Sequence, residues 1–138
     1  MKKKFRILEH TADGMFQAYG ITLEEAFKNS VYAMLSLITK NKIKERIKII
    51  FSVNGKNLEQ LLYNFLEEIL ILIYSKNFIP SKIKKIKIDK KKLKLKTELI
   101  GDETKNYEIF SEIKAITYNN MIIKKIKNKY IIQVVVDM

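Results

Sequence analysis

The chain has no cysteine in its 138 residues. That excludes a disulfide scaffold, a thiolate zinc centre and a cysteine nucleophile together, and it is compatible with a reducing compartment. There is one proline, Pro80, and the four glycines (Gly14, Gly20, Gly55 and Gly101) are too scattered for a Walker or dinucleotide-binding loop. There is one histidine, His10. A Ser/His/Asp triad would have to use it; its neighbour Asp13 is poorly placed for that, and no serine stands out. Long apolar runs are missing too. The richest, Phe65 to Tyr74, is broken by Glu67 and Glu68 and falls well short of the ~20 residues that span a bilayer. Met1-Lys2-Lys3-Lys4-Phe5-Arg6 has the basic character of a signal-peptide start, but Glu9, His10 and Asp13 interrupt any apolar segment behind it. The expectation is a soluble, cytoplasmic protein with no membrane contact.

Arginine is also scarce: only Arg6 and Arg46 accompany the lysines in a net charge of +12. Two readings compete. A basic chain suits a nucleic-acid partner. Lysine, isoleucine and asparagine share AT-rich codons, so a biased genome would give the same composition on any fold. The near absence of arginine, the preferred residue for bidentate phosphate contacts, weighs toward the second. Hydrophobic residues make up 47% of the chain, which is ordinary for a globular protein. The length predicts a single domain over residues 1–138, with a core that needs no staples.

Lys4 to Glu9 reads as a strand, Asp13-Gly14 as a turn and Met15 to Tyr19 as a second strand ended by Gly20. Thr22-Leu23-Glu24-Glu25 is a capping box, with Thr22 accepting from the Glu25 amide and Glu25 reaching back to the Thr22 amide. Leu23, Ala26, Phe27, Val31, Met34, Leu35 and Ile38 follow at helical spacing. Ile43 to Val53 reads as a strand and Asn54-Gly55 as a turn. Asn57 then caps a second helix, whose broad stripe from Leu58 to Ile73 places it at the centre of the core. Pro80-Ser81 marks the passage from helix to sheet. Ile86 and Ile88 form one arm of a hairpin, Asp89 to Lys92 its turn, and Leu93, Leu95, Thr97 and Leu99 the other arm. After a polar loop from Gly101 to Asn106, Tyr107 to Tyr118, Met121 to Lys127 and Tyr130 to Val136 read as strands. Asn119-Asn120 and Asn128-Lys129 are the turns between them. The order implies an α+β fold, with two helices packed on one face of a mixed, mostly antiparallel sheet.

The lysine block from Lys82 to Lys96 could track a phosphate backbone. It lacks interleaved aromatics for stacking, and a solvated hairpin face that blocks edge pairing accounts for it better. Lys114, in Ile113-Lys114-Ala115-Ile116-Thr117-Tyr118, is either a snorkelling edge residue or a cation beside an acidic site. Alternation puts Lys114, Ile116 and Tyr118 on one face. The fifteen acids are spread thinly among 27 bases, yet Glu9 and Asp13 flank one turn and Asp137 ends the apolar run Val134-Val135-Val136. Carboxylate and carbonyl oxygens suit hard divalent cations. From spacing alone, a turn-capping Asp13 and a solvated Asp137 explain the pattern somewhat better than a shared cation.

Glu9-His10-Thr11-Ala12-Asp13, Ala18-Tyr19-Gly20, Thr22 to Phe27, Lys114 to Tyr118 and the terminal strand closing in Asp137 resemble the archease family, in order and across the whole chain. The resemblance implies an SHS2-type α+β fold. It implies a non-catalytic activator of the RtcB-type tRNA-splicing RNA ligase, promoting guanylylation of the ligase histidine and its turnover. It also implies a divalent metal on Asp13 and Asp137, with the last residue, Met138, adding an oxygen. Calcium is the first choice of ion, with magnesium or manganese as alternatives. Lys114 matches the lysine of the second motif, and Glu9 and His10 stand as supporting or partner-contact residues. Two positions depart from the pattern. Gly14-Met15 stands where the family has an aliphatic residue and then glycine, and Asn119 stands where histidine is frequent.

Three functions follow, in this order. One is a protein cofactor with an acidic, metal-holding tip. Another is an RNA-binding protein acting through its lysine-rich hairpin. The last is a free-standing metal-dependent hydrolase, for which His10 is the sole general base in view. The first requires Asp13 and Asp137 to approach within ~6 Å, hence a last strand beside the N-terminal hairpin.

Overall fold

A computed structural model describes residues 3–8 and 13–138. The elements in order are β1 (Phe5–Leu8), β2 (Gly14–Gly20), α1 (Leu23–Ile38), β3 (Ile47–Asn54), α2 (Leu58–Ser75), β4 (Ile79–Asp89), β5 (Lys94–Asp102), β6 (Ala115–Ile116), β7 (Ile122–Ile126) and β8 (Lys129–Asp137). The class is α+β with two helices, as the pattern implies. The strands divide into two sheets, and every pairing among the described residues is antiparallel. One sheet runs β1-β2-β8, with β6 and β7 both on the far side of β8; the other runs β3-β5-β4.

Both helices start where their caps dictate. Thr22 Oγ1 accepts from Glu25 N–H at 3.1 Å, and Asn57 Oδ1 accepts from Gln60 N–H at 2.8 Å. The reciprocal bonds land one residue earlier than a capping box prescribes: Glu25 takes the Ile21 amide and Gln60 takes the Lys56 amide. The helices then bury one shared core. Phe27 of α1 stacks on Phe65 of α2 with centroids 6.0 Å apart, and Phe51 of β3 meets Phe65 from the second sheet. Phe16, Ile132, Val134 and Val136 close the core from the first sheet, and Ile83, Leu95 and Leu99 from the second.

Four expectations change. Residues 107–114 are not a strand; only Ala115–Ile116 pairs. Their polar groups are met by helix ends and side chains instead. Phe110 N–H donates to the Ile38 carbonyl at 3.0 Å, Glu108 C=O accepts from Thr39 Oγ1, and Ile113 N–H donates to Tyr74 Oη. The alternation through Lys114 therefore fails, because Ile113 and Ile116 are both buried. Leu93 belongs to the β4–β5 turn, at φ 52°, with Asp89 Oδ1 accepting the Lys91 and Lys92 amides. Finally, the last hairpin turns at Lys127-Asn128, with Lys127 at φ 55°, one residue before the expected Asn128-Lys129, and Lys129 already pairs with Ile126. Pro80 does stand at the passage from helix to sheet, in the second position of the edge strand β4, where a missing N–H is tolerated.

Candidate functional site

The register of β2 against β8 decides what stands together. Gly14 pairs with Val136, and the ladder continues without a slip to Gly20 against Tyr130. One step outward, Asp13 precedes Gly14 and Asp137 follows Val136, so the two aspartates lie at the same end of the pair. On the other side of β8, Ala115 pairs with Asp137, and Lys114 N–H donates to the Asp137 carbonyl at 2.7 Å. Asp13, Asp137 and Lys114 thus lie on three adjacent chain segments at one end of the sheet. Asp137 and Lys114 are exposed and Asp13 is half-buried.

Gly14 has no left-handed backbone; no glycine here has positive φ. It is needed for closeness. A Cβ on Gly14 would stand 2.8 Å from Met138 Sδ, 3.0 Å from Val136 Cγ2 and 3.1 Å from Leu37 Cδ1. The Met138 side chain therefore folds back over β2 toward α1, packing against the core. That packs the last residue beside Gly14, which is adjacent in the chain to Asp13. The expected turn at Asp13-Gly14 is instead the start of β2. Glu9 and His10 lie outside the described residues. Among the described residues, no three His, Cys, Asp or Glu side chains cluster as a metal site.

One neighbouring feature escaped the sequence. Tyr118 stacks on Tyr63 of α2, with centroids 4.5 Å apart and planes 10° from parallel. Burial and then the Glu67 carboxylate push both phenols above the usual tyrosine value. The pair joins positions 55 apart, and nothing local in either segment announces it. Asn119 N–H meets Thr117 Oγ1, whose hydroxyl donates to the Val135 carbonyl at 2.7 Å.

The chain matches the Archease protein family over residues 5–138. It is 37% identical to a Protein archease of Pyrococcus abyssi, over 98% of this chain and 99% of that one. This chain belongs to the archease family. The likeness reaches a Protein archease-like of Caenorhabditis elegans, 30% identical over 99% of this chain and 90% of the relative. Among solved structures, a Methanobacterium thermoautotrophicum protein superposes with a TM-score of 0.81 at 29% identity, covering 98% of this chain and 99% of that one. An archease of Thermotoga maritima, described as a possible chaperone, shares the fold at a TM-score of 0.67 and 20% identity, covering 100% and 98%. No helix among the described residues is long and apolar enough to cross a membrane.

Proposed function

We propose that this archease activates a tRNA-splicing RNA ligase of the RtcB type, promoting its guanylylation and turnover through a divalent cation held at the acidic tip. The observation that supports the reading is the β2–β8 register, which ends at Gly14 against Val136 and so leaves Asp13 and Asp137 at the same end of one sheet, with Met138 packed beside Gly14, in a chain of net charge +12. Two carboxylates and a neighbouring main-chain oxygen suit a hard cation such as calcium, magnesium or manganese. Calcium takes 6–8 oxygens, so most positions stay open to a partner's groups and a nucleotide's phosphates. In phosphoryl transfer such an ion neutralises charge on the phosphate oxygens. The tip supplies the ion and the ligase supplies the nucleophile, so the protein is not itself the catalyst. In this reading Lys114, whose backbone N–H donates to the Asp137 carbonyl, meets the ligase or its nucleotide through its side chain.

The test is a guanylylation assay with the cognate ligase and labelled GTP. Asp13→Ala and Asp137→Ala should each abolish or greatly weaken activation and calcium binding by calorimetry, with thermal unfolding near wild type. Lys114→Ala should reduce activation with cation affinity roughly intact. Full activation by both aspartate variants would overturn the reading.

A further inference from the structure

The β3–β5–β4 sheet has one face in the core and one in solvent. Its register sorts the residues into cross-strand rows. Facing the core are Ile49–Leu99–Ile83, Phe51–Thr97–Ile86 and Val53–Leu95–Ile88. The outward rows are Lys48–Ile100–Lys82, Ile50–Glu98–Lys85, Ser52–Lys96–Lys87 and Asn54–Lys94–Asp89. That face therefore carries six lysines against two acids. Lys96 and Lys87 stand directly opposite each other, a like-charge pairing that destabilises a sheet. Asp89 stands in the next row, opposite Lys94, and forms no ion pair with Lys87 or Lys96 among the described residues. Lys82 reaches Glu45 at 3.4 Å, but Lys85, Lys87, Lys94 and Lys96 form no ion pair among the described residues.

Codon bias alone does not explain this distribution. It would scatter lysine over every solvated surface, yet α2 carries Glu59, Glu67 and Glu68 and no lysine or arginine. The second basic surface, on β7 and β8, is arranged differently. There Lys125 and Lys90 lie over the Tyr130 ring, Lys90 Nζ donates to Tyr130 Oη at 3.0 Å, and Lys129 lies 4.5 Å over the Tyr19 ring. Those ammonium groups already have tyrosine partners; the sheet lysines do not.

We propose that the outward face of the β3–β5–β4 sheet grips the phosphate backbone of RNA, through Lys85, Lys87, Lys94 and Lys96. The face carries no aromatic side chain, so it holds phosphates and does not stack bases; binding is independent of sequence. A flat lysine face also suits anionic lipid headgroups, but the only large apolar side chain well exposed on it is Ile50, too little to anchor in a bilayer. The choice of RNA over DNA rests on the ligase reading; the phosphate grip itself does not.

The probe is fluorescein-labelled oligouridylate, titrated by anisotropy over a range of salt. The wild-type protein should bind at physiological salt. The slope of log K against log salt should be about −3, from four lysines at roughly −0.7 each on a single strand. The quadruple Lys85→Gln, Lys87→Gln, Lys94→Gln, Lys96→Gln variant should lose at least about tenfold in affinity and most of that slope. The matched control, Lys124→Gln, Lys125→Gln, Lys127→Gln, Lys129→Gln, makes the same change in net charge and should lose far less. Thermal melts confirm that both variants fold; relief of the Lys87–Lys96 repulsion favours the first. Equal losses in the two variants would mean a general effect of charge and would overturn the proposal. So would sedimentation with phosphatidylserine vesicles in the absence of oligouridylate binding, or no binding at physiological salt. Guanylylation of the ligase needs no RNA, so it should be unchanged in the quadruple sheet variant. A failed tip and a failed RNA face are therefore told apart.

Discussion

Asp102 is the one buried carboxylate among the described residues. Tyr107 Oη donates to its Oδ2 at 2.6 Å, the Glu103 amide donates to Oδ1 at 2.8 Å, and Arg46 Nε lies 3.9 Å away. The Tyr107 hydrogen bond is the largest influence holding this carboxylate below the ordinary aspartate value; the Glu103 amide and Arg46 act in the same direction against burial. A depressed folded-state pKa contributes stability that is fully present above the unfolded value, about 3.9, and is lost as pH falls through the folded one. Asp102→Asn should therefore unfold more readily than wild type at neutral pH, and the gap should shrink as the pH drops below about 4. Melting temperatures measured across the acid range check this; a gap that widens on acidification would contradict it. Gly14 carries the other prediction at this scale. Gly14→Ala sets a methyl against Met138, Val136 and Leu37 at once, and only the methionine end swings away easily. The overpacking should cost about 1–3 kcal/mol by denaturant unfolding. It should also weaken cation binding by moving Met138, though Gly14 contributes no donor of its own.

Among the elements, α2 tests the core. Leu66 is fully buried between the two sheets, so Leu66→Ala should cost about 2–5 kcal/mol in urea unfolding. Lys94 is exposed on the outward row of β5, so Lys94→Ala should shift stability by less than about 0.5 kcal/mol. Equal costs would mean that the helix stripe or the sheet face is wrongly oriented. The α2 stripe, the helix caps and the Asn119-Asn120 turn were legible because each depends on neighbours within one or two turns of chain. Residues 107–114 were misread for the opposite reason. Their apolar residues fill a gap at the ends of α1 and α2, and that gap exists only once distant elements have packed.

In the whole molecule, β8 is the strand most enclosed by its neighbours. It pairs with β2 along one side and with β6 and β7 along the other, and Ile132 to Val136 are all at most 9% exposed. Opening it requires breaking the first sheet. Amides of β8 and its partner β2 should therefore show the slowest hydrogen exchange, approaching the global unfolding free energy, whereas residues 107–114 should exchange by local opening. Exchange mapped by NMR or mass spectrometry checks the order. Rapid exchange across β8 would remove the rigid support the tip needs, since Asp137 is the last residue of that strand.

The sequence by itself determined the α+β class, both helices with their N-caps and the terminal hairpin. These follow from periodicity, capping chemistry and turn residues, all short-range. It also singled out Asp13, Asp137 and Lys114, by their residue types and by the family resemblance their setting carries. Tertiary structure decided the rest. It split the strands into two sheets, turned Met138 over Gly14, stacked Tyr63 on Tyr118, and set four lysines without ion pairs on one bare face. It also brought Asp13 and Asp137 to the same end of one sheet. Residues more than a hundred positions apart meet only through strand register, and register is settled by which apolar faces the assembled core can bury.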